Sequence, residues 1–277
     1  MRIRRSLLAL VAGTALLLAA CGSSGGSESS DTTKAPSSSD ATTTTAGEPA
    51  LEGEITVSAA ASLTEPFTDM GKAFEDANPG TKITFTFDSS GTLSQQILDG
   101  APVDVFASAD EKNMEKLTDA DLVKGEPTVF ARNQLIIVTK PGNPEGIESL
   151  ADLADAGIIS LCGEDVPCGK FAGEALENAG VTIPEGSVTR GQNVKATLAA
   201  VTEGDAVAGI VYVTDALTAG DAVDAVDIPE DQNVIATYPV AVLTDAQDAA
   251  LASAFVDYVS SDDGQAILKE RGFLPPA

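Results

Sequence analysis

The stretch ITVSAAASLTEPF, from Ile55 to Phe67, changes its period part-way through. Ile55, Val57 and Ala59 alternate with Thr56 and Ser58, the pattern of a strand. From Leu63 the apolar positions are Leu63, Phe67, Met70, Phe74 and Ala77, one stripe of a helix. The change falls at Ser62, with Glu65 three residues on, the spacing of a capping box. A strand that turns into a helix at a serine brings free first-turn N–H groups and a hydroxyl to one point. Two readings follow: Ser62 caps the helix, or it helps to bind an anion.

The same arrangement recurs along the chain. Ile83, Phe85 and Phe87 lead into Asp88-Ser89-Ser90-Gly91 and a helix carrying Leu93, Ile97 and Leu98. Val103 to Phe106 is a strand before Ser108 and Glu111, a second capping-box spacing. Leu135 to Val138 is an apolar run that suits a strand covered on both faces. Residues 147–155 and 168–179 read as helices around the strand Ile158 to Leu161. Asn193 to Val201 reads as a helix, Val207 to Val213 as a buried strand, and Val234 to Leu243 as an extended stretch interrupted by Pro239. The final helices are Ala249 to Val259 and Gln265 to Glu270. Repeated βα units imply a doubly wound α/β architecture with largely parallel sheets and ligands at the carboxyl ends of strands. Four junctions present comparable helix starts, at Ser62, Ser90, Cys168 and Asn193-Val194. If they converge, backbone dipoles and hydroxyls can hold an anion without a salt bridge.

Composition narrows the function classes. The 277 residues carry a formal charge of −26 and are 43% hydrophobic, but only 4% aromatic with no tryptophan. Such an acidic surface argues against nucleic acid and anionic membranes as partners. Histidine is absent, which removes His-activated nucleophiles and the commonest transition-metal ligand.

Residues 1–20 read as a secretory signal, with basic MRIRR before an apolar run from Leu7 to Ala20. That run is shorter than the ~20 residues a membrane span needs. It ends in Leu18-Ala19-Ala20-Cys21, which resembles the bacterial lipobox and implies that Cys21 becomes a lipidated N-terminus. Residues 21–50 are rich in Ser, Thr and Gly and read as a disordered tether. Cys162 and Cys168 remain, an even pair with five residues between them in an oxidising compartment, and a disulfide between them is expected. A C-x5-C metal site would lack further Cys or His ligands.

Six segments, ITVSAAASLTEPF, FDSSGTLSQQILDGAPVDVFASAD, VPCGKFAGEAL, AGIVYVTDA, YPVAVL and DGQAILKERGF, resemble in order the signature segments of the periplasmic molybdate-binding protein family, receptors of ABC-type importers. The resemblance spans about Glu54 to Phe273. It implies a two-lobed type II periplasmic-binding-protein fold, each lobe a mostly parallel sheet flanked by helices. Lobe I would comprise residues 51–131 and 240–277, and lobe II residues 132–239. The ligand-contacting positions it implies are Ser62, Ser90, the backbone at Cys168 and Val194, and Tyr212. Cys168 departs from the small residue of better-known members, and Asp88 beside Ser90 must point away from an anion.

The function implied is an extracytoplasmic lipoprotein that binds molybdate or tungstate and passes it to an ABC permease, as a monomer, with no cofactor and no catalysis. Receptors for sulfate or another oxyanion, or a fold-related enzyme, are the alternatives. A tetrahedral dianion offers only acceptors, so hydroxyl and N–H donors suit it. Lys170 and Lys195 lie in first turns, either supporting the site from outside or solvated at the surface.

Overall fold

The computed structural model describes residues 51–276. The expected export signal, Cys21 and the expected tether lie outside the described residues. The chain begins with β1 (Gly53–Ala60), a 3-10 turn (Ala61–Leu63), α1 (Thr64–Ala77), β2 (Thr81–Asp88), α2 (Ser90–Leu98), β3 (Val105–Ala107) and α3 (Glu111–Asp119). The long β4 (Thr128–Thr139) is followed by β5 (Ile159–Cys162), α4 (Pro167–Asn178), β6 (Val188–Gly191) and α5 (Val194–Thr202). After these come β7 (Ala208–Tyr212), α6 (Val213–Ala219), β8 (Asp224–Asp227), β9 (Ile235–Val242), α7 (Ala249–Ser260) and α8 (Asp262–Glu270).

The strands lie in the order β2-β1-β3-β9-β4-β7-β5-β6, with β8 on β4. Within the βα units the pairing is parallel: β1 with β2 and β3, and β5 with β6 and β7. The strands β4, β8 and β9 pair antiparallel, a component the sequence reading did not anticipate. Two long strands carry the chain from one half of the sheet to the other. β4 pairs with β9 over Thr128 to Gln134, then with β7 and β8 from Leu135 onward. β9 pairs with β4 and then, from Val240 to Val242, with β3. Pro239 does not interrupt β9. It lies opposite Val129, where the register shifts, so its missing N–H costs no regular ladder bond.

The halves are filled differently. The one built on β1, β2 and β3 holds an aromatic cluster: Phe67 packs against Phe85, Phe130 and Phe255 at centroid distances of 5.7–6.2 Å. The other is aliphatic, with Ile137, Ile159, Ala172, Ala175, Val201 and Ile210 fully buried. The helix expected over 147–155 is a 3-10 turn, Leu150–Ala154. No helix among the described residues is long and apolar enough to cross a membrane.

Candidate anion-binding site

All five residues named from the sequence, Ser62, Ser90, Cys168, Val194 and Tyr212, line one cavity of about 20 Å³. Ala60, Ala61, Ser89, Ala109, Pro167 and Asn193 complete it, so no lining residue carries a charge. A space this small admits a compact ligand of a few atoms and excludes a sugar or peptide. Each segment reaches it from the carboxyl end of a strand, as doubly wound sheets dictate.

Ser62 does not cap α1. It sits in the 3-10 turn, the helix begins at Thr64 without a side-chain cap, and Glu65 is engaged elsewhere. The Ser62 hydroxyl instead shares a 2.9 Å hydrogen bond with the Tyr238 hydroxyl. Burial pushes the Tyr238 pKa up against the opposing effect of that bond, so Tyr238 stays a neutral donor or acceptor. At the start of α2 the capping residue is Ser89, whose oxygen accepts from the Thr92 N–H. Ser90 is fully buried, and its oxygen accepts from the Ala109 N–H at 2.9 Å, which leaves its own proton to donate. The second capping-box spacing is also unused: Asp110, not Ser108, caps α3. Asp88 turns away from the cavity, as an anion site requires. Its Oδ1 accepts from the Ser89 N–H and from the Asn193 side-chain amide.

The opposite wall consists of helix starts. Pro167 occupies the first position of α4, and the Cys168 N–H follows it. At α5 the Asn193 side chain accepts from the Ala196 N–H, leaving the Val194 N–H with no intrahelical acceptor. Both starts are held by close packing. A Cβ on Gly169 would stand 1.9 Å from the Gly163 carbonyl oxygen, and one on Gly191 would stand 2.4 Å from Thr197 Oγ1. Cys162 and Cys168 are joined in a disulfide with Cα atoms 5.7 Å apart, and Thr197 Oγ1 donates to the Cys162 sulfur. Tyr212 ends β7. Its hydroxyl is buried without any hydrogen-bond partner, and burial pushes its pKa well above the usual range. An unpartnered hydroxyl on the wall of a cavity is able to donate to an oxygen of a bound anion.

The lysines are ion-paired rather than free. Lys195 donates to both Glu65 oxygens at 2.9 and 2.8 Å and lies 3.2 Å from Asp215 Oδ1. Burial works against its charge, but the two carboxylates outweigh this and its pKa is raised. Lys170 lies 3.8 Å from Asp110. Asp215 has no solvent exposure, and burial, opposed by Lys195, raises its pKa to about 6. Sequence reasoning passed over Tyr238, Ser89 and Asp215, and read Glu65 only as half of a capping box. Tyr238 and Asp215 lay inside quoted segments, but nothing in their spacing sets them apart.

Residues 55–274 match the family described as bacterial extracellular solute-binding protein. The chain belongs to this family. Its members are receptors of solutes, not enzymes, and work outside the cytoplasm. Among relatives of this solute-binding protein is the molybdate-binding protein ModA of Mycobacterium tuberculosis, 40% identical over 223 residues, covering 80% of this chain and 85% of the relative. The ModA protein of Escherichia coli is 33% identical over 232 residues, covering 80% of this chain and 89% of its own length. In fold, the solute-binding protein superposes on the periplasmic molybdate-binding protein of Azotobacter vinelandii with a TM-score of 0.71 at 22% identity, covering 80% and 100% of the two chains. The two-lobed type II fold is therefore common to both.

Proposed function

We propose that this protein captures molybdate, and tungstate with it, between its two lobes and delivers the anion to an ABC import permease. The observation that carries the reading is the chemistry of the cavity wall: hydroxyls of Ser62, Ser90 and Tyr212, helix-start N–H groups at Cys168 and Val194, and no charged residue. A fully ionised tetrahedral oxyanion accepts from every such donor. A protonated one, such as phosphate at neutral pH, would bring a donor that meets no carboxylate. The names of the relatives at 40% and 33% identity support the choice of anion. We assign residues 51–131 and 240–277 to lobe I and 132–239 to lobe II, with β4 and β9 as the hinge strands, a division favoured by their passage between the sheet halves. The protein acts as a monomer without a cofactor, held to the outer face of the cell membrane by lipid on Cys21.

A thermal-shift panel of molybdate, tungstate, sulfate, phosphate and chromate tests the reading. At 100 times its dissociation constant a ligand stabilises by about 2.7 kcal/mol. Molybdate and tungstate should raise the melting temperature, and phosphate should not. A phosphate shift equal to that of molybdate would sink the donor-only site.

A further inference from the structure

Besides the Ser62–Tyr238 hydroxyl bond, three side-chain contacts cross between the sheet halves, and each joins segments that also line the cavity. Glu65 follows Ser62 by three residues and meets Lys195, the neighbour of Val194. Asp88, two residues before Ser90, accepts from the Asn193 side chain at 2.9 Å. Asp110, next to Ala109, lies 3.8 Å from Lys170, two residues beyond Cys168. Lys195 differs from the other two in having a second carboxylate behind it. Asp215 belongs to the same half as Lys195, is fully buried, and has the Lys195 ammonium 3.2 Å from its Oδ1. A buried charge left alone is strongly destabilising, so Asp215 holds the ammonium group in place from within its own half. The arm from Lys195 to Glu65 then depends only on the two halves being together.

We propose that Lys195, anchored on Asp215, is a positioning residue that latches the closed lobes through Glu65 and so slows escape of the bound anion without touching it. This rests on the reading of the cavity as an oxyanion site between lobes. Neither Glu65 nor Lys195 lines the cavity. Both lie within one helical turn of a proposed donor, so the latch forms in the geometry that brings Ser62 and Val194 together. Each side chain is 28% exposed, which screens the pair less than an open surface pair.

Glu65→Gln is the cleanest test, because it cuts the arm between the halves and leaves Lys195 paired with Asp215. Lys195→Met would strand the Asp215 carboxylate, so it is made only together with Asp215→Asn. Stopped-flow release of molybdate is measured at low and high salt, beside small-angle scattering of the ligand-free full chain. Both variants should release molybdate about three- to tenfold faster than the parent at low salt, with little change in association. Release from the parent should quicken with added salt, and release from Glu65→Gln should not, a difference that a purely structural role would not produce. The ligand-free variant should also be more expanded than the parent. Equal release rates at low salt, or superimposable scattering curves, would overturn the latch. If the parent fails to bind molybdate, the functional reading falls and scattering alone decides: expansion in Glu65→Gln sustains the latch, and identical curves end it.

Discussion

The wall of the cavity carried by β1, β2 and β3 offers side-chain hydroxyls, whereas the wall carried by β5, β6 and β7 offers helix starts and one tyrosine. On the first wall Ser62 is tied to Tyr238 and Ser90 to the Ala109 N–H. On the second, the backbone is fixed by the disulfide, by Gly169 and Gly191, and by the Asn193 cap, while the Tyr212 hydroxyl has no partner. The buried acids divide in the same way. Asp104 accepts from the N–H groups of Thr56 and Gln247 at 2.7 and 2.6 Å, and Asp110 accepts from Asn113. Asp215, in the second half, has only the Lys195 ammonium, 3.2 Å from Oδ1, set against its charge. A donor made of side chain can be deleted by one substitution, but a donor made of backbone can be reached only through what braces it.

The largest expected effect concerns Asp215. Its folded-state pKa is raised from 3.8 to about 6, mainly by burial. The stabilisation that comes with its proton is complete below about pH 4 and is lost as pH rises through 6. Asparagine does not titrate, so the stability of the parent relative to Asp215→Asn should fall by about 3 kcal/mol between pH 4 and 7. Urea denaturation of both proteins across that range measures it. A flat difference would mean that Asp215 is as well matched as Asp104, and the contrast between the halves would disappear.

Next come the hydroxyls. Ser62→Ala and Ser90→Ala should each weaken molybdate binding by about 1.5–3 kcal/mol, and Tyr212→Phe by a similar amount. Stability should separate them. Ser90→Ala leaves the buried Ala109 N–H without its acceptor and should cost about 1–3 kcal/mol, whereas Tyr212→Phe breaks no bond and should cost nothing. Calorimetric titration with parallel melting curves gives both quantities. Loss of stability in Tyr212→Phe would show that its hydroxyl is engaged by the fold and not held for a ligand.

The braces of the second wall rank third. Closing a loop as short as Cys162 to Cys168 is worth about 2 kcal/mol in the chain-entropy estimate. Reduction, or the double change Cys162→Ala and Cys168→Ala, should lower stability by that much and weaken molybdate binding as the Cys168 N–H loses its fixed position. Intact-mass analysis of alkylated, natively exported protein establishes the starting state. Unchanged binding after reduction would assign the brace to Gly169 and Gly191 alone.

The sequence made the sheet-to-helix switches legible because period 2 and period 3.6 leave different apolar patterns, as at Leu63. It also brought the five cavity residues together: Ser62, Ser90, Cys168 and Tyr212 lie in quoted segments that resemble one family, and the same resemblance implied Val194. What it could not assign were roles set by contacts across the fold. Ser62 has capping-box spacing but is drawn to Tyr238, 176 residues away in sequence. Glu65 looked like the other half of that box but is claimed by Lys195. Ser108 lost its cap to Asp110 because a carboxylate two residues nearer reaches the Asn113 N–H. Pro239 looked like an interruption because the register shift opposite it is a property of β4, not of its own segment. β6 and β8, four residues each, are too short to show a period.

The smallest effect should come from Lys170, and it sharpens the contrast with Lys195. Both occupy first turns of helices at the cavity, and both face an acid across the halves. Lys170 is 3.8 Å from its partner, beyond hydrogen-bond reach, and 30% exposed. That partner, Asp110, already accepts from the Asn113 N–H and side-chain amide, so removing the ammonium strands no buried charge. A pair of this kind contributes about 0.2–1 kcal/mol, and salt reduces it further. Lys170→Ala should therefore shift the molybdate dissociation constant by less than about fivefold, with a melting temperature close to that of the parent. Titrating Lys170→Ala beside Ser90→Ala decides the matter in one experiment. If the lysine change costs as much as the serine change, attraction by charge contributes to holding the anion, and a site built from neutral donors alone is the wrong description.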